Sequence, residues 1–170
     1  MGPGHLAVGL AAKRVAPRAP LIVLLLASEL LDILCFVFIF AGLERAGEGS
    51  DLGYLPWSHG LFMAVVWSLA AGAIAWLFSR DRRVSIVIGL VVFSHWVLDF
   101  IAHDPDLPLF FAGSPLVGLG LEWTHTANGL VIHWAQGLIV ELGLLVGGTV
   151  IYLHTRRRLI ASARSVTPVG

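Results

Sequence analysis

Charge is scarce in this sequence. Asp, Glu, Lys and Arg make up 13% of its 170 residues, about half the usual share in a soluble domain. The acids and bases balance to a formal net charge of zero, which excludes the basic surface a nucleic-acid partner requires. The single cysteine, Cys35, sits within an apolar run. With no second thiol in the chain a disulfide framework is excluded, and Cys35 reads as a small core hydrophobe. There is no internal repeat, no low-complexity tract and no polar second domain.

What the sequence has instead is apolar length. Hydrophobic residues account for 57% of the chain, and four segments reach the roughly 20 residues needed to cross a bilayer. They cover about 20–42, 60–79, 84–102 and 130–153. Pro20 suits a first helical turn, where its missing N–H matters least, and the glycines at 42, 47 and 49 mark an exit and a loop. The first apolar core is too long for a cleaved signal peptide and lacks a small-residue cleavage site, so it reads as retained. The predicted fold is all-α, an integral membrane four-helix bundle in a single transmembrane domain. The apolar stretch 6–12 is too short to cross and is expected to lie in the interface or re-enter the bundle. Segment 107–123 is apolar but broken by Pro and Gly, which predicts packing against the outer mouth.

The flanks orient the bundle. Lys13, Arg14 and Arg18 precede the first span; Arg80, Arg82 and Arg83 separate the second and third; Arg156, Arg157 and Arg158 follow the fourth. The other loops carry Glu44, Glu48 and Asp51 with one arginine, then Asp104, Asp106 and Glu122 with no base. By the positive-inside rule both termini are cytoplasmic, in a bacterial inner (plasma) membrane. Trp57, Trp123 and Trp134 fall near the outer boundary, as an aromatic belt would.

Ionisable residues inside a span are costly and usually functional. Glu29 and Asp32 fall in the first span, His95 and Asp99 in the third, Glu141 in the fourth, and no Lys or Arg falls in any. Either these acids are protonated, as desolvation favours, or a cation is bound among them. His95 and Asp99, four apart, share a helix face, and His103 continues it. Asp32 and His95 lie about 17 Å, and Asp99 about 22 Å, from the cytoplasmic ends of their helices, so they can meet. His59, at the head of the second span, must reach inward, and His5 must re-enter by about 10 Å. A His/Asp set drawn from several helices is a standard metal site, suited to a divalent ion: zinc, with manganese or iron as alternatives. The competing reading makes His95 and Asp99 a hydrogen-bonded clamp between helices and Asp32 a protonated core acid. Glu141 reads as a structural acid. His154 reads as interfacial, and His125 with Glu122 as lining a mouth.

The motifs GHLAVGL, LASELLDI, PWSHGLFMAV and FSHWVLDF, over roughly residues 4–100, resemble the YdjM-like family of predicted membrane-bound metal-dependent hydrolases. The resemblance implies metal ligation by His5, Asp32, His59, His95 and Asp99. Where that family often has Asp-x-Asp-His this chain has Glu29, Asp32 and Ile33, and an upstream histidine of the second motif is missing, which points to one metal rather than two. The ligand order is also similar to that of zinc-dependent phospholipases C and related nucleases. The resulting expectation is a hydrolase of a lipid-linked or amphiphilic ester or phosphoester, with Glu29 or His103 as general base. Two rival classes stand beside it: an accessory subunit of a larger membrane complex, and a small proton-coupled transporter using the same acids as a relay.

Overall fold

A computed structural model of the chain describes residues 3–46, 53–111, 113–126 and 129–166. Six helices carry it: α1 (Gly4–Ala12), α2 (Leu21–Ser28), α3 (Leu30–Phe40), α4 (Leu61–Ser79), α5 (Arg82–Ala102) and α6 (Trp134–Val166). Three short antiparallel pairs complete it: β1 (Arg45–Ala46) with β2 (Gly53–Tyr54), β3 (Leu107–Pro108) with β4 (Leu116–Val117), and β5 (Trp123–Thr126) with β6 (Gly129–Ile132). Helices α4, α5 and α6 are each long and apolar enough to cross a membrane, and α2 with α3 makes a fourth crossing if the bent pair is one span.

The burial pattern is inverted relative to a water-soluble protein. Phe36, Phe40, Leu69, Phe78 and Ile139 face outward, more than half exposed, while His5, Ser28, Ser58, His95 and Asp99 are enclosed. Apolar surface on this scale is rare on soluble monomers and is what lipid requires. Among the spans α5 is the most enclosed, packed against α1, α2, α3 and α4. Its inner face carries Val84, Ile88, Val91 and Val92 in its N-terminal half, then His95 and Asp99.

Small residues set the helix spacing, as in many membrane bundles. Gly72 on α4 and Gly89 on α5 meet so closely that a Cβ on Gly72 would lie 3.2 Å from the Ser85 carbonyl oxygen, and one on Gly89 3.0 Å from that of Ser68. Asp81 ends the α4–α5 turn by accepting hydrogen bonds from the backbone N–H groups of Arg83 and Val84. The Arg18 guanidinium, 3.1 Å away, together with those N–H donors holds the Asp81 carboxyl below the usual carboxylate range.

Three sequence expectations change in detail. The first apolar segment is broken, not continuous: α2 and α3 meet at Glu29 with a bend of 56°. The fourth helix begins at Trp134, because residues 129–132 pair with β5, and it runs on to Val166. Segment 107–123 forms hairpin strands, and its backbone is tied to the end of α5: Leu119 and Gly120 N–H groups donate to the Phe100 and His103 carbonyls at 2.8 and 2.6 Å. It therefore caps the C-terminal end of α5. Part of the loop at 47–56 (residues 47–52), and the side chains of Trp123, His125 and Trp134, lie outside the described residues.

Helix α1 does re-enter. It packs against α2, α5 and α6, with Gly4, His5, Ala7, Gly9 and Ala12 buried. Its first turn is held by Glu141 of α6, whose Oε2 accepts the Gly4 N–H at 2.6 Å; a carboxylate is favourable at a helix N-terminus. Further along, a Cβ on Gly148 would meet the Ala7 carbonyl oxygen at 2.5 Å. Gly148→Ala is therefore expected to push α1 off α6 and to destabilise the fold by about 1–3 kcal/mol. Gly147→Ala, with open space at that position, serves as the control. Equal thermal unfolding temperatures for the two variants in detergent would show that α1 is not packed this way.

Candidate metal centre

The break in the first span creates one wall of the site. At Glu29 the helix changes direction, and the Ser28 carbonyl oxygen accepts a hydrogen bond from His95 Nδ1 at 2.7 Å. A carbonyl can only accept, so His95 carries its proton on Nδ1, and Nε2 presents a lone pair whenever the ring is neutral. His59 is fixed in the same sense by different means. Glu44 accepts the Ser58 hydroxyl proton at 2.7 Å, so Ser58 Oγ accepts in turn from His59 Nδ1 at 2.8 Å. The same carboxylate holds the Trp57 and Ser58 backbone N–H groups, each at 2.8 Å, and Trp96 Nε1 donates to the His59 carbonyl at 2.9 Å. Both imidazoles thus point Nε2 inward, held from behind by an acceptor, the arrangement that orients metal-ligating histidines.

Two carboxylates face those nitrogens. His59 Nε2 lies 3.3 Å from Asp32 Oδ1 and 3.5 Å from Asp99 Oδ2. His95 Nε2 lies 3.4 Å and 3.2 Å from the same two oxygens. Charge-assisted N–H···O bonds run at about 2.7–2.9 Å, so these separations are long for direct pairing. Among the described residues His95 Nε2 has no hydrogen-bond partner of proper geometry, nor has either ring nitrogen of His5. The two imidazoles and two carboxylates therefore face one another at separations of 3.2 to 3.5 Å.

Asp99 also offers its other oxygen. His5 Nε2 lies 3.3 Å from Oδ1, and His103 Nε2 approaches it at 3.8 Å. His103 is turned through Nδ1 to Asp106 Oδ2 at 3.1 Å. The His5 ring stacks on His95 with centroids 3.7 Å apart and planes within 4°. Two triads could hold a metal ion: His5, His95 and Asp99, and Asp32, His59 and His95.

The structure thus brings together all five of His5, Asp32, His59, His95 and Asp99. Glu29 sits at the break, half-buried, with Oε1 enclosed and without a hydrogen-bond partner among the described residues. His103 borders the cluster through Asp99. Glu141 is not in the cluster; it fastens α1. The site opens on the side of Asp32, whose side chain is 38% exposed against 2% for Asp99. Sequence reasoning missed Ser28, Ser58 and Glu44. Ser58 had a signal, since it adjoins His59, whereas Glu44 reaches the site only through a loop fold and the Ser28 contribution is a backbone carbonyl.

Comparison of the chain with protein-family models, with curated proteins and with solved structures gives no match. The case for a site rests on the residues themselves.

The purified protein is expected to hold about one equivalent of a divalent ion, measured by elemental analysis. His95→Ala or Asp99→Ala should abolish occupancy, and His154→Ala should not. Ser58→Ala should retain the fold and weaken metal affinity by about 10- to 100-fold, the usual cost of losing a partner behind a ligand. Unchanged affinity in Ser58→Ala would show that the Glu44–Ser58–His59 chain does not serve the ligand.

Proposed function

We propose that the chain is a four-span inner-membrane protein, both termini cytoplasmic, whose buried His/Asp cluster holds a zinc-type ion and hydrolyses a lipid-linked or amphiphilic ester or phosphoester. The observation that carries the reading is the spacing of ligand atoms. Two ligands at about 2.0–2.1 Å from one tetrahedral ion lie about 3.3–3.4 Å from each other, and the four histidine-to-carboxylate separations among the six between His59, His95, Asp32 and Asp99 run from 3.2 to 3.5 Å. The donor set of imidazole and carboxylate suits zinc, with manganese or iron compatible. The resemblance of the motifs to the YdjM-like family supports the same reading.

A divalent ion bound there would supply a Lewis acid that lowers the pKa of a water and polarises the scissile group. The protein's own groups do the rest. Asp32, His59, His95 and Asp99 would hold the ion, and His5 would close the cluster from α1. Glu29, beside the exposed Asp32 edge, is placed to accept the proton of an attacking water. His103, held by Asp106, is the alternative base on the outer side.

A second reading has its own support. Four protein ligands complete a tetrahedral shell, and closed shells are the mark of structural zinc. An accessory subunit of a membrane complex, stabilised by its metal, would need nothing more. Activity separates the two. Under the hydrolase reading, chelator-sensitive turnover of amphiphilic esters or phosphoesters should rise with pH through about 7, where such waters ionise. Glu29→Gln should lose rate and keep metal. A metal-loaded protein with no chelator-sensitive turnover over a broad substrate panel would give the site to the structural reading.

Topology is tested separately. A reporter active only in the cytoplasm should work at Arg82 and after the C-terminal helix, and fail when inserted at Gly49 or Leu107. Activity at Gly49 would reverse the assigned orientation.

A further inference from the structure

A second feature begins at the Arg-rich end of the helices. Helices α2 and α3 diverge from α4 and leave a cleft of about 660 Å³, within the range of small-ligand sites. Leu26, Leu30 and Leu34 form one wall, and Trp67, Ala71 and Ile74 the other. Along α4 it extends from Trp67 to Ser79, about 18 Å at the helical rise per residue. At its foot the character changes. A second cavity of about 550 Å³ shares Pro20, Ser79 and Val84 with the cleft and is lined by Arg18, Arg80 and Arg82 against the single acid Asp81.

The charges there are not equivalent. Arg18 is engaged by Asp81 at 3.1 Å. Arg80 and Arg82 are exposed and carry no ion pair among the described residues. Arg80 ends α4 in a left-handed conformation, φ 53°, which turns the chain sharply at the rim of the pocket. Two free guanidiniums at the foot of an apolar cleft match an anionic headgroup with a hydrocarbon tail, and basic pockets on the cytoplasmic side of membrane helices bind such headgroups.

We propose that this composite pocket binds one anionic phospholipid of the cytoplasmic leaflet, its phosphate on Arg80 and Arg82 and one acyl chain lying in the α2–α4 cleft. A second copy of the chain is a poorer occupant. A two-fold partner related by an axis along the membrane normal would bring the same arginines to the same level, setting like charges together. The inference needs the four-span arrangement with these arginines at a membrane face, and it is independent of the metal. The reporter at Arg82 tests that arrangement by itself.

The test is native mass spectrometry of the full chain in detergent, titrated with phosphatidylglycerol or phosphatidylcholine, with inorganic phosphate as a headgroup-only probe. The wild type is expected to retain one phosphatidylglycerol in preference to phosphatidylcholine. The double variant Arg80→Gln/Arg82→Gln should lower that preference on the order of 20-fold, taking each arginine near an anionic lipid at its usual worth. Ala71→Phe, which fills the cleft and leaves the arginines in place, should lose phosphatidylglycerol while the protein keeps its helical circular dichroism. Should either variant fail to fold, quenching in the wild type decides. Phosphatidylglycerol brominated along its acyl chain should quench Trp67, read as the difference from Trp67→Phe. Equal binding of the two lipids, undiminished binding in the variants, or no Trp67 quenching would overturn the proposal. So would inorganic phosphate competing as well as the whole lipid, or a dimer that excludes lipid from the cleft.

Discussion

Two carboxylates and three imidazoles gather among apolar helices, all but Asp32 buried, and no lysine or arginine of the apolar segments is there to balance them. An uncompensated charge in such a place is costly, so the cluster must be neutralised by protons or by a cation. Much of the surrounding structure is organised by that need. The first span breaks so that a carbonyl can orient His95. The loop before α4 folds back so that Glu44 can orient His59 through Ser58. Helix α1 enters between α2, α5 and α6 so that His5 can stack on His95. The first two devices fix a ring from behind and leave its inward nitrogen available, which serves a shared cation better than direct pairing would.

The helices that deliver these groups are held by means suited to lipid. Between apolar faces there is little hydrophobic drive for association, and close van der Waals approach takes its place. Gly72 against Gly89 fixes α4 on α5, and Gly148 under Ala7 seats α1 on α6. Glu141 adds a polar tie at the start of α1. That acid occupies a membrane helix yet belongs to the scaffold, which shows that an intramembrane carboxylate need not sit in the site.

Hydropathy made the long helices legible, because a span is a length of apolar residues and little else. The candidate ligands were legible for a related reason: in an apolar segment Asp32, His95 and Asp99 stand out against their background. His5 was harder. Its place depends on a short helix re-entering beside α6, and the glycine contact that permits this is invisible without the fold. The break at Glu29 was illegible too. No proline or glycine marks it, and the bond at the bend, from His95 to Ser28, comes from another helix. Segment 107–123 read as a broken apolar stretch packed against a mouth of the bundle; parts of it pair as strands, since its Pro and Gly residues favour turns over helix. Ser58 and Glu44 escaped notice because residues behind a ligand carry no spacing rule.

The bend at Glu29 also bears on the bilayer around the protein. Laid straight, α2 and α3 would rise about 28 Å, close to the roughly 30 Å hydrocarbon core. With the 56° bend and α2 upright, the rise falls to about 21 Å. If the pair crosses as one span, lipid beside it would have to thin to match it. That thinning would fall on the flank where Asp32 is the exposed member of the cluster, and there it would draw headgroups and interfacial water several ångströms toward a depth that elsewhere belongs to acyl chains.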